Sequence, residues 1–166
     1  MSKLEDRPDY FCRSFLLGLE PIRTTHQADL RILRTRDGRQ FIGKTSKSAI
    51  KAWKAEFVRL CRPYAPDRPY EGPLEVSLYF GFPCIKSDEG KSRPMCTKPD
   101  FDNLAKSAMD GLVEAGFMHD DCQVVLGRVA KFRTKHPFVA IDVGSFPHID
   151  DLFVAMIRQN HENGRK

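Results

Sequence analysis

The sequence has no C-x-x-C pair, no long apolar run and no internal repeat, and each absence removes a class of protein. Its five cysteines, at 12, 61, 84, 96 and 122, are odd in number and widely spaced. They suggest neither a complete disulfide framework nor a zinc knuckle, so they read as reduced thiols. No stretch approaches the roughly 20 apolar residues of a membrane helix. The start, MSKLEDRPDYF, carries no apolar core of a secretory signal. These features lead us to expect a cytoplasmic protein. A polar low-complexity tract is also missing, which argues against a wholly disordered chain.

What remains is a chain of 166 residues, 41% hydrophobic and 30% charged, enough for one well-buried core. Its net charge of +5 is compatible with a polyanionic partner, but the distribution of charge is more informative. Between Arg31 and Arg68 eleven lysines and arginines face only Asp37, Glu56 and Asp67, whereas between Asp100 and Asp121 six acids face the single Lys106. A cationic block is thus followed by a carboxylate block.

Residues 1–10 are polar, contain Pro8 and read as a loosely held arm. Phe15–Leu19 and Leu30–Thr35 suggest two strands; Asp37-Gly38 supplies a hairpin turn, with Gln40–Ile42 returning. A helix capped by Thr45 or Ser46 and running to about Cys61 presents Ile50, Trp53, Phe57 and Leu60 at helical intervals, with Lys47, Lys51, Lys54 and Arg62 largely off that stripe. Alternation in 74–80 predicts a strand with one buried face. The segment from Pro83 to Pro99 reads as a long basic loop, and a helix from about Asp102 to Ala115 ends at Gly116. Val124–Phe132 and Phe138–Val143 suggest two final strands. Residues 11–145 therefore form an expected α/β (α+β) domain, a mixed sheet packed against helices, and 146–166 an amphipathic helix with a polar tail.

The segment from Lys98 to Leu112 holds the chemistry. Pro99 favours an extended approach, and in an extended segment Asp100 and Asp102 point the same way. If Asp102 caps the helix, then Asp102, Asn103, Lys106, Asp110 and Glu114 share one face, while Leu104, Ala105, Ala108, Met109 and Leu112 form the other. Converging carboxylates repel unless a proton, a basic group or a cation compensates. Oxygen donors suit magnesium or manganese, and Lys106 can offset charge on a phosphate. The competing account makes Asp102 a simple cap, the other acids solvated and Lys106 an ordinary surface pair. An EF-hand does not fit, because Leu104 and Ala105 stand where that loop needs an oxygen ligand and a glycine.

Downstream, Gly116-Phe-Met-His-Asp-Asp-Cys-Gln-Val-Val leaves the helix for a strand that could return Asp120 or Asp121 toward Asp100 and Asp102, with His119 as a further candidate ligand. Lys98, Asp100, Asp102, Asn103, Leu104, Lys106, Asp110, Gly116, Phe117, Asp120, Asp121, Gln123 and Val124 together resemble the RusA family of Holliday-junction resolvases. The resemblance is specific over about residues 98–125. It implies a homodimer that cuts four-way DNA junctions, in recombination and repair, by paired phosphodiester hydrolysis. It also implies Asp100, Asp102 and Asp121 as ligands of one or two Mg²⁺ (Mn²⁺ substituting), Asp120 as a rival ligand and Lys106 as an essential basic group. Arg39, Lys44, Lys47, Lys51, Lys54, Arg93 and Lys98 are the candidate DNA contacts. The loop 83–99 and the segment after Ser145 depart from compact members of the family. A nuclease of flaps or forks, a non-catalytic DNA-binding protein of the same fold, and an interaction protein using Phe117, Met118 and the final helix are the alternatives.

Overall fold

The computed structural model describes residues 11–23, 29–35, 37–45, 48–88 and 90–146, with side chains left out at 29–34 and 40–45. The expected arm at 1–10, the final helix after 146, the capping residue Ser46 and Lys47 lie outside the described residues. So do the side chains of Thr45 and Lys44.

The chain order is β1 (Cys12–Leu17), β2 (Asp29–Arg34), β3 (Gln40–Thr45), α1 (Ser48–Cys61), β4 (Leu74–Pro83), β5 (Arg93–Pro94), α2 (Phe101–Ala115), β6 (Val124–Thr134) and β7 (Phe138–Ser145). Five strands form one mixed sheet in the order β1-β7-β4-β6-β5, and β2 pairs with β3 in a separate hairpin. β4 occupies the centre because one of its faces is a continuous apolar row. Leu74, Val76, Leu78, Phe80 and Phe82 are all essentially inaccessible, as are Val139, Ile141 and Val143 on the neighbouring β7. Each such side chain contributes about 1.5–3 kcal/mol of burial. β4 and β6 run parallel, a pairing that requires a crossover, and α2 is that crossover.

Both helices lie on the apolar face. α2 buries Leu104, Ser107, Ala108, Gly111, Leu112 and Ala115, the i, i+3, i+4, i+7 spacing of one stripe. α1 buries Ile50, Phe57, Val58 and Cys61, and Trp53 stacks on Phe57 at 5.0 Å while donating its indole N–H to the Glu20 carbonyl at 2.9 Å. Burial pushes the Cys61 thiol up to about 12, so it is an inert apolar group. Where α1 and α2 meet, Gly111 is required: a Cβ there would stand 2.5 Å from the Phe57 ring. Gly116 ends α2 at φ +94°, in the left-handed region, with its N–H returned to Leu112 and Val113. Phe117, fully buried, then turns the chain toward β6, and its carbonyl accepts from the Tyr70 amide at 3.0 Å.

Three details differ from the sequence reading. β1 begins at Cys12, not Phe15, and ends at Leu17, because its register with β7 runs from Cys12↔Gly144 to Leu17↔Val139. β6 and β7 extend to Thr134 and Ser145. The 83–99 segment has internal structure: a 3₁₀ turn at Lys86–Asp88, then β5 against β6. It is organised by Asp88, whose side chain is wholly buried, accepts from the Ile85 amide at 2.7 Å and pairs with the Arg93 guanidinium. No helix among the described residues is long and apolar enough to cross a membrane, and all five cysteines are unpaired.

Candidate active site

The exposed face of α2 carries Asp102 and Lys106, two of the predicted site residues, with one correction at the start of the helix. The N-cap is Asp100, at φ −70° and ψ 148°, and Asp102 is a first-turn residue. Both aspartates are competent caps by residue type, but the helix begins one position after Asp100, whose carbonyl accepts the Leu104 amide at 3.2 Å. The two-residue alternation of an extended strand therefore does not relate Asp100 to Asp102. No side-chain cap hydrogen bond forms at Asp100, and both carboxylates are exposed.

Asp102, Lys106 and Asp110 follow one another at four-residue steps, a row along one helix face. Lys106 is 61% exposed and pairs with Asp110 at 3.7 Å. Across the helix interface Lys54 of α1 pairs with Glu114 at 3.0 Å. These four groups, with Asp120 and Asp121, line a cleft of about 380 Å³. The fold thus brings Lys106 and Asp121 to one cleft from opposite sides of the α2–β6 connection. Asp100 and Asp102 do not line it. They lie toward the start of α2, Asp102 about 6 Å along the axis from Lys106. Among the described residues no three of His, Cys, Asp or Glu stand close enough to hold a metal ion, so His119 joins no such group. A larger open depression of about 810 Å³, between Phe11, Arg13 and the 65–72 segment, includes no residue of α2.

The turn bearing Asp120 and Asp121 is tightly specified. Asp120 caps the 3₁₀ turn Asp121–Gln123, accepting the Cys122 amide at 2.8 Å. That bond holds the Asp120 carboxyl below the usual carboxylate range, and the adjoining carboxylate in turn raises the Cys122 thiol. Gln123 completes a capping box. Its Oε1 accepts from the His119 amide at 2.7 Å and the Asp120 amide at 3.2 Å, and its Nε2 donates to the Tyr70 and Gly72 carbonyls at 2.7 and 3.2 Å. Asp120 is therefore engaged in the turn, while Asp121 stands exposed beside Lys106 in the cleft.

The candidate DNA contacts divide. Lys51 and Lys98 are exposed; Arg39 is exposed in the β2–β3 turn and pairs with Asp37 at 3.5 Å. Arg93 is engaged with Asp88 and Lys54 with Glu114, so neither is a freely solvated cation. Sequence reasoning assigns no role to Gln123, although the D-x-x-Q spacing from Asp120 is the mark of a capping box. It also passes over Lys131, whose ammonium lies against the loop before Asp100 and which no local pattern marks.

The family model described as Endodeoxyribonuclease RusA matches residues 23–144, about three-quarters of the chain and every one of the acids and lysines above. No match was found among curated proteins.

Proposed function

Because the chain belongs to the RusA endodeoxyribonuclease family, we propose that it resolves four-way DNA junctions by metal-dependent phosphodiester hydrolysis, in recombination and repair. The observation that carries the reading is the sharing of one cleft by Lys106 and Asp121 on the exposed face of α2, inside the matched segment. The acids offer only oxygen, which suits Mg²⁺ or Mn²⁺, and Mg²⁺ is commonly held by one or two carboxylates with retained waters and substrate phosphates; among the described residues no three acids close on one point, so the fit is to a site of two carboxylates at most for each ion. Asp100 and Asp102, at the start of α2, would hold one ion, and Asp121, in the cleft with Lys106, would reach it through water or phosphate or hold a second. A bound ion supplies Lewis-acid charge at the phosphate and lowers the pKa of its water.

The chain's own groups do the remaining work. Lys106, in its ammonium form, draws the scissile phosphate against α2 and offsets charge that develops on its oxygens. Its pairing with Asp110 is an exposed contact worth little, so exchange for a phosphate is cheap. Asp121 is the better third ligand, because Asp120 is engaged by the Cys122 amide. Two copies of the chain, related by a two-fold axis, would make the paired cuts, leaving 5′-phosphate and 3′-hydroxyl ends. A cytoplasmic setting accords with five unpaired thiols.

The test is cleavage of a synthetic four-way junction, with linear duplex, flap and fork controls, with and without Mg²⁺ or Mn²⁺. We expect paired, metal-dependent incisions in the junction and twice the chain mass in sedimentation. Faster cutting of a flap would overturn the substrate.

A further inference from the structure

β6 lies next to the sheet's β5 edge, and its register with β4 sets Lys131 opposite Phe80. Laterally paired residues point to the same side of a sheet, so Lys131 projects to the helix-bearing face. A cation there needs partners, and it has them. Nζ donates to the Thr97 carbonyl at 2.8 Å and to the Pro99 carbonyl at 2.7 Å. The main-chain carbonyl of the same residue accepts from the Met95 amide at 2.9 Å. One residue thus grips the incoming loop at 95, 97 and 99, and the last of these immediately precedes Asp100.

No capping bond holds the exposed Asp100 carboxylate, so the backbone that carries it, which sets its Cα–Cβ direction, is the constraint the fold places on it. That backbone is anchored on one side by the Lys131 ammonium at Pro99 and on the other by the Leu104 amide on the Asp100 carbonyl. We propose that Lys131 is a positioning residue for the metal site: it fixes the approach to Asp100 and, through the first turn of α2, the direction of Asp102. The inference rests on the reading that these acids hold the metal. Arg133, two residues along the same strand, is the natural comparison. It binds the same loop through the Pro83 carbonyl at 3.1 Å and the Thr97 hydroxyl at 3.5 Å, but does not reach Pro99.

The full chain carrying Lys131→Met keeps the aliphatic stem and loses the donors. Mn²⁺ binding by calorimetry, without DNA, and the Mg²⁺ concentration giving half-maximal junction cleavage are the two readouts. We expect both to shift by about tenfold or more toward weaker binding, the scale typical of lost outer-shell support, while the rate at saturating metal stays near the parental one. Lys131→Arg should recover part of the shift. Arg133→Met should lower the unfolding temperature and leave the metal dependence unchanged. Parental Mn²⁺ affinity in Lys131→Met, or an equal shift in Arg133→Met, overturns the proposal. If the parental chain binds no Mn²⁺, the metal reading fails and takes this inference with it; if the parent binds and Lys131→Met binds equally well, only the inference falls.

Discussion

Replacing Gln123 with Glu changes one atom type in the turn that carries Asp121. The amide cannot be reversed, because Oε1 faces two N–H groups and Nε2 faces two carbonyls. A glutamate keeps the acceptor bonds to His119 and Asp120 and sets a carboxylate oxygen against the Tyr70 and Gly72 carbonyls. Two donor bonds are lost, about 0.5–1.5 kcal/mol each, and oxygen–oxygen repulsion is added. Protonation limits the penalty: keeping a proton at pH 7 on a glutamate, which ordinarily titrates near about 4.3, costs about 3.7 kcal/mol. The expected loss at pH 7 is therefore about 2–3 kcal/mol, or roughly 4–12 °C in unfolding temperature for a chain of this size.

The pH dependence gives the sharper check. The protonated acid restores a donor toward one of the two carbonyls, so the folded-state pKa of the new glutamate lies above its unfolded value. The destabilisation relative to the parent is then small below about pH 4.3, grows as pH rises above that value and levels off above the folded pKa. Urea unfolding of both proteins from about pH 4 to about pH 8 measures it. A difference below about 0.5 kcal/mol at pH 7, or one that is flat across this range, would refute the claim that these carbonyls depend on the Gln123 amide.

Asp102→Asn should retain junction binding in a gel-shift assay and lose cleavage by at least about a hundredfold. As a first-turn residue its charge favours the helix by only about 0.3–1 kcal/mol, so a folded variant that cuts at the parental rate would remove Asp102 from the site. Gly111→Ala should destabilise by about 1–3 kcal/mol in chemical unfolding, since the added methyl meets the buried Phe57 ring at 2.5 Å and overpacking outweighs the gain of up to about 1 kcal/mol in helix propensity. Lys51→Ala with Lys98→Ala should weaken junction binding and reduce the salt slope by about one for each phosphate left without its cation. An unchanged slope would make both lysines solvated surface.

The elements legible in the sequence are those whose burial repeats. The alternation of β4 and the i, i+3, i+4 stripe of α2 record one-sided contact with a core, and Asp37-Gly38 marks its turn because Gly38 adopts φ +85°. The interior of the 83–99 loop is not legible, because its organiser is a buried Asp88 paired with Arg93, and burial of one charge leaves no period. The helix start escapes the sequence for a related reason. Asp100 and Asp102 are equivalent to a capping rule, and tertiary contacts from Lys131 hold the chain before Asp100. Spacing places Asp102, Lys106 and Asp110 on one helix face, as the fold has them, but it does not give the geometry of the acids. Spacing along one chain says which residues lie on a helix face; it says nothing of where the following strand brings Asp121. That depends on α2 crossing from β4 to β6, a helix of 15 residues and about 22 Å, with Asp121 emerging beside Lys106 and Asp110 rather than beside Asp100. Lys106 pairs with Asp110 and stands a single turn from Asp102, so it lies between the two groups of acids.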